Sequence, residues 1–173
     1  MNASSIENYP GLQNMVVEVL DELEIGYHIK DAGRIFFQVT GDSGTLECEI
    51  QTDDEKDWRS LGVSIASPTY VPKARFPQVS EWILRRNFAL KLGAYHLDLD
   101  DGNIQFRLGV LLGDSLATSD IVRSNLLAAF HVMDSSVPEI MKVAFSEHTA
   151  LEVIQEAERQ NAEDEAAPDA PLQ

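Results

Sequence analysis

The run Leu92-Gly93-Ala94-Tyr95-His96-Leu97-Asp98-Leu99-Asp100-Asp101-Gly102-Asn103-Ile104-Gln105-Phe106-Arg107 constrains the fold more than any other stretch of the chain. Asp101-Gly102 is a strong hairpin signal, because a two-residue type I′ turn needs positive φ at both central positions. A turn there sets Asp100 opposite Asn103, Leu99 opposite Ile104, Leu97 opposite Phe106 and Tyr95 opposite Leu108. Asp98 then faces Gln105, and His96 faces Arg107 as a surface pair. Apolar residues share one face of both strands and polar residues the other, and a one-residue slip would expose the whole apolar set.

The rest of the chain is read around this hairpin. Residues 1–9 read as a flexible lead-in. Pro10 suits a first helical turn, Leu12, Met15, Val16, Val19, Leu20 and Leu23 form one apolar stripe, and Gly26 is the expected stop. Four strands follow, over 27–30, 34–40, 45–52 and 58–66, with turns at 31–33 and 41–44. In the third, Leu46, Cys48 and Ile50 alternate with Glu47, Glu49 and Gln51, the pattern of a half-buried strand with an acidic outer face. Asp53 to Asp57 reads as a charged, solvated loop. Ser67 to Pro77, with Pro68, Pro72 and Pro77, reads as an irregular connection carrying Tyr70, Val71 and Phe76.

A helix is expected over about 78–92, with Val79, Trp82, Ile83, Phe88, Ala89 and Leu90 on a broad apolar face and Gly93 as its cap. Asn87 on that face needs partners, and a structural hydrogen bond to a neighbouring turn would supply them. After the hairpin, a helix starts near Ser119. Asp134-Ser135-Ser136 is expected to interrupt it, with Pro138 opening a further helix. The order is α-ββββ-α-ββ-α-α. Strands clustered between helices point to an α+β fold, an antiparallel sheet of a four-stranded meander plus the hairpin, packed with amphipathic helices. Residues 10–160 are expected to form one domain, and 161–173 a disordered acidic tail.

Charge narrows the function. The 173-residue chain carries a net charge of −16 with a sequence pI near 4.4. Such a surface is repelled by phosphate backbones and anionic membranes, so neither nucleic acid nor membrane is an expected partner. The one cysteine, Cys48, excludes an internal disulfide and reads as a small buried hydrophobe. No apolar run is long enough for a membrane span and the N-terminus lacks a signal-peptide pattern, so a cytoplasmic protein is expected.

Candidate chemistry is thin. Asp98, Asp100, Asp101 and Gly102 evoke a calcium loop, but the glycine falls fifth instead of sixth, and Gly109 stands where the twelfth-position glutamate belongs. His28, His96, His131 and His148 form no metal-ligand pattern, and no phosphate-binding glycine loop or nucleophile elbow occurs. No catalytic residue, metal or cofactor is expected. Trp58, Tyr70, Val71 and Phe76, at a strand edge and in the proline-rich connection, are the candidate partner-binding residues. They either close the rim of the core or line an apolar groove for a partner segment, and an open sheet edge would also accept an added strand.

The stretch from Arg85 to Arg107, a helix bearing Asn87 followed by Gly93, Tyr95, Leu97, Asp98, Asp101-Gly102, Ile104, Phe106 and Arg107, resembles the YbjN family of bacterial proteins. The resemblance extends in element order over about residues 12–145. It implies a fold similar to that of type III secretion chaperones, which bind segments of other proteins, often as dimers. It therefore implies a non-enzymatic protein-interaction module, a peptide-binding chaperone or regulatory adaptor, with a role in stress or sensory transduction and a homodimeric state. The alternative is a small-ligand binder or small enzyme using the open face of the sheet.

Overall fold

The computed structural model describes residues 11–31, 33–55, 58–112 and 118–166. The lead-in 1–9 lies outside them. The fold is α+β, and the described residues form a six-stranded antiparallel sheet and four helices. Helix α1 (Leu12–Glu22) precedes a meander of β1 (Tyr27–Asp31), β2 (Arg34–Gly41), β3 (Gly44–Glu55) and β4 (Trp58–Tyr70). A short 3-10 turn (Lys73–Arg75) leads into α2 (Phe76–Ala89), then β5 (Ala94–Leu97) and β6 (Asn103–Leu111). Helices α3 (Ser119–Phe145) and α4 (Ala150–Ala166) follow. The strand order is β1-β2-β3-β4-β6-β5, so the hairpin joins the meander through β6.

Strict alternation divides the sheet into two faces. Ile35, Phe37, Leu46, Cys48, Ile50, Leu61, Val63, Ile65, Tyr95, Ile104, Phe106 and Leu108 pair across strands on one side and are buried. The helices lie there, with Val16, Val19, Trp82, Leu126, Met133 and Ile140 completing one core. The other face carries Arg34, Phe36, Glu47, Glu49, Gln51, Ser64, Gln105 and Arg107, and no described helix covers it.

The register of the opening hairpin differs from expectation. Tyr95 pairs with Phe106, His96 with Gln105 and Leu97 with Ile104, two residues away from the two-residue-turn alignment. The loop is longer because its acids bond to its own backbone. The Asp98 carboxylate accepts from Asp100 N–H, and the Asp101 carboxylate from Asn103 N–H, both at 2.8 Å. Gly102 N–H donates to the Asp98 carbonyl at 2.8 Å. Gly102 has φ +87°, and a Cβ there would stand 2.3 Å from the Val71 carbonyl oxygen. A shift of two preserves the faces, so the hairpin still packs its apolar side inward. Only Leu99, expected inside, sits exposed at the loop tip.

Other boundaries moved for identifiable reasons. Helix α1 stops before Gly26: Glu24 takes φ +56°, and Ile25 N–H reaches back to the Leu20 carbonyl, a left-handed cap built on a non-glycine residue. Asp53 to Glu55 belong to β3. Asp54 accepts from Leu12 N–H at the start of α1 and pairs with Arg59 at 2.6 Å, so this acidic run is partly structural. Ser67 to Tyr70 extend β4 across an irregularity that contains Pro68, where a strand tolerates proline.

The break expected at Asp134-Ser135-Ser136 does not occur, and α3 runs through Pro138 for 27 residues. Pro138 cannot donate to the Asp134 carbonyl four residues back. That carbonyl instead accepts the Ser43 hydroxyl at 2.9 Å. The Asp134 carboxylate accepts the N–H groups of Asp42 and Ser43 at 3.1 and 3.0 Å. The proline is therefore accommodated by docking the β2–β3 turn. The true break lies at 146–149, where Thr149 and Glu152 form a reciprocal capping box for α4. Helix α4 continues to Ala166, so residues 161–166, expected in the disordered tail, are helical; 167–173 lie outside the described residues.

Two stability predictions follow from these ties. Asp134→Ala removes the acceptor for two turn N–H groups and should lower unfolding free energy by about 2 kcal/mol in urea titration; a loss below about 0.5 kcal/mol would show the dock to be incidental. For Asp54, burial pushes the carboxyl up, but the Leu12 N–H and Arg59 outweigh it and hold it below the usual range. Its stabilising contribution is complete above the unfolded value, about pH 4, and is lost as pH falls through the folded one. Asp54→Asn should therefore flatten the acid limb of the stability–pH curve.

Candidate protein-interaction surface

The four residues expected to bind a partner do not form one surface. Trp58 opens β4 opposite Glu55, and its side chain is outside what the structure describes. Tyr70 ends the same strand and is exposed. Twelve residue steps at about 3.3 Å set the two roughly 40 Å apart. Val71 is buried and belongs to the core, and Phe76 packs partly buried against it. Trp58 and Tyr70 thus stand at opposite ends of β4.

The larger exposed apolar feature lies on α2. Leu84 and Phe88 are 71% and 95% exposed, and Leu92, just past the helix, is 72% exposed. Phe88 was expected on the buried face with Ala89. At about 100° per residue, however, it stands roughly 240° round the helix from Trp82. Trp82 and Arg86 point the opposite way, to α3. The Trp82 indole N–H donates to the Glu139 carboxylate at 2.8 Å, and Arg86 engages both oxygens of that carboxylate at 2.5 and 2.9 Å. The Glu81–Arg85 ion pair flanks Leu84 and Phe88 on the outer side. Counting two apolar stripes on one helix would have found this row from sequence.

The sheet has two edges of different character. Along β5, Tyr95 pairs with Phe106 at a position whose backbone groups point away from β6, because the neighbouring Asp98 N–H to Asn103 carbonyl bond sets the alternation. Asn87 fills those positions: its carboxamide accepts from Tyr95 N–H at 2.7 Å and donates to the Tyr95 carbonyl at 3.0 Å. The side chain stands where the peptide group of an added strand would stand. Its expected structural bond is thus present, to the strand itself. The Tyr95 hydroxyl bonds to Ser136 at 2.5 Å, and burial pushes its pKa up to about 12. The Tyr95 ring also lies between those of Trp82 and Phe106, tilted to both, with centroids 5.0 and 5.2 Å away. The β1 edge has no such cap among the described residues.

The uncovered face of the sheet holds shallow, open hollows. One, of about 490 Å³, is lined by His28, Lys30, Phe36, Gln38 and Glu47. Phe36 there lies under the Arg34 guanidinium at 5.2 Å and beside the His28 ring at 5.8 Å. A second hollow lies over Gly62 and Gly109 beside Arg34, Glu49 and Arg107. His96 faces Gln105 instead of Arg107; burial first, and then the Arg107 charge, hold it below its ordinary pKa. Burial pushes the Cys48 thiol up to about 12, which suits a packing role and not a nucleophile. Among the described residues, no three His, Cys, Asp or Glu are grouped to hold a metal ion. None of the described helices is long and apolar enough to cross a membrane.

Residues 13–141 match the family model YbjN, described as "Putative bacterial sensory transduction regulator". The chain belongs to the YbjN family. Similar solved structures include the following two. The ExsC–ExsE complex matches with a TM-score of 0.50 and 11% identity, over 73% of this chain and 91% of that one. YbjN from E. coli matches with a TM-score of 0.49 and 12% identity, over 87% of this chain and 94% of that one. No curated protein sequence matches significantly. The fold likeness to ExsC agrees with the type III chaperone-like architecture expected from the hairpin and its helix.

The Asn87 cap gives a direct test. Asn87→Asp can still accept from Tyr95 N–H, but it sets a carboxylate against the Tyr95 carbonyl. This variant should be less stable by about 1–3 kcal/mol, with faster hydrogen exchange at the Tyr95 amide. Unchanged exchange at that amide would contradict the assigned bond.

Proposed function

We propose that this protein works by binding a segment of another protein, as a chaperone-like or regulatory adaptor, and catalyses no reaction. The observation that carries the reading is the row Leu84, Phe88 and Leu92, large apolar side chains held in solvent on a helix whose other face is fully engaged. An almost fully exposed phenylalanine costs hydration and gains nothing unless it is covered in a complex. The family's regulatory description and the ExsC–ExsE complex, in which a protein of this fold is found with a second protein, support the same reading. The shallow hollows of the open face give little support to the alternative, a small-ligand binder or small enzyme. The acidity of the chain favours neither nucleic acid nor membrane as partner. Its single cysteine, buried, fits a reducing cytoplasm.

A second copy is one occupant of the row. In an antiparallel pairing of two α2 helices, Leu84 and Phe88 meet their equivalents, and Glu81 of each copy approaches the cationic end of the other, near Arg85 and Lys91. The test compares wild type with a Leu84→Ser/Phe88→Ser variant by sedimentation and by affinity purification from the native cell. Wild type should dimerise at micromolar concentration or retain a protein partner, and the variant should lose that association at unchanged thermal stability. Identical mass and identical partner recovery for both would overturn the reading.

A further inference from the structure

We propose that α4 is a displaceable occupant of a helix seat on α2 and α3, and that the partner segment enters this seat as an amphipathic helix of the α4 pattern. The inference deepens the partner-binding reading and rests on it. Three observations carry it.

First, α4 is attached through little of its length. It packs on α2 and α3. Ala150, Val153 and Ile154, all near its start, are buried, and every side chain from Glu158 to Glu163 is exposed. Helix α3, by contrast, buries eight side chains between Val122 and Ala144. A helix of 17 residues is only marginally stable by itself in water. Docking of α4 therefore rests on a few side chains, and it opens more readily than the core beneath it. It also lies beyond residues 13–141, the part that matches the family.

Second, the seat is held together without α4. Glu139 of α3 clamps Trp82 and Arg86 of α2. Arg75, just before α2, donates to the Val143 carbonyl from Nε and Nη2 at 3.1 and 2.8 Å. Neither tie involves a residue of α4. The link from α3 is an exposed stretch, Glu147, His148 and Thr149, which can act as a hinge.

Third, α4 displays what the seat selects. Ala150, Val153 and Ile154 stand at i, i+3 and i+4, on one side of the helix. Glu156, at i+6, pairs with Lys142 of α3. Arg75 Nη2 donates to the His148 carbonyl, just ahead of the helix, at 2.8 Å. Release of α4 takes the carboxylate from Lys142 and the carbonyl from Arg75, beside a newly bared apolar surface. A helix with the same three apolar positions and a glutamate at i+6 restores the contacts. One with lysine at i+6 sets two cations together and is disfavoured.

The experiment follows a blocked, fluorescein-labelled peptide of residues 147–163 by anisotropy, against the full chain as wild type and as Val153→Asp/Ile154→Asp. The double substitution places carboxylates in the apolar contact and undocks α4. The peptide should bind this variant saturably and at least about tenfold more tightly than wild type, whose own α4 fills the seat. A peptide carrying Glu156→Lys should bind the variant about threefold more weakly, and Lys142→Glu added to the variant should reverse that preference. Hydrogen exchange on wild type needs no variant to fold. The Ile154 and Ala157 amides should exchange at least about a hundredfold faster than those of Met133 and Val137. Exchange of α4 at the rate of α3, loss of the sheet in the undocked variant, no saturable binding to it, equal binding to wild type, or equal binding of the Lys peptide would each overturn the proposal. A native partner recovered equally by wild type and the undocked variant would remove the seat alone. No native partner and a monomeric mass for both would remove the partner-binding reading itself.

Discussion

Helix α3 crosses the covered face of the sheet and offers a bonding partner to each of the other layers. Arg123, in its first half, pairs with Glu22 of α1. Asp134 at its middle holds the β2–β3 turn, and one turn later Glu139 clamps Trp82 and Arg86 of α2. Ser136 meets the Tyr95 hydroxyl of β5. Near its end, the Val143 carbonyl accepts from Arg75 and Lys142 pairs with Glu156 of α4. The helix buries Val122, Leu126, Ala129, Met133, Val137 and Ile140 at spacings of three and four, so its inner face and its polar ties act over the same length.

That arrangement explains why the meander was legible in the sequence and α3 was not. Each strand of the meander reports its own burial by alternation, as Leu46, Cys48 and Ile50 do against Glu47, Glu49 and Gln51. Pro138 and the polar run before it carry the local signature of a helix boundary. What overrides the signature is Ser43, more than ninety positions away in sequence, which bonds the carbonyl that the proline leaves vacant. A local reading has no access to such a contact. The hairpin register failed for a local reason instead, since Asp98 and Asp101 bond to their own loop and lengthen the turn.

The interaction surface was legible only in part. Asn87 announced itself as a polar residue on the apolar face of its helix in need of a partner, which the structure supplies on the strand β5 and not in a turn. Tyr70 was expected in an irregular connection and Trp58 at a strand edge. Continuation of β4 through Pro68 sets them at opposite ends of one strand. Phe88 was misplaced by treating every apolar residue of α2 as one stripe, when the angles give two. The second stripe is the more informative, because burial already accounts for Val79, Trp82 and Ile83.

The Asn87 amide bears on more than the stability of one strand. A sheet with two unoccupied rims could join rim to rim through copy after copy, since a head-to-tail contact of this kind need not form a ring and can grow into a filament. With the β5 rim occupied from within by a side chain, a copy bound at β1 has no complementary rim to offer the next. Growth by strand pairing then terminates after one addition, and a protein with an accessible strand can remain a discrete particle at high concentration.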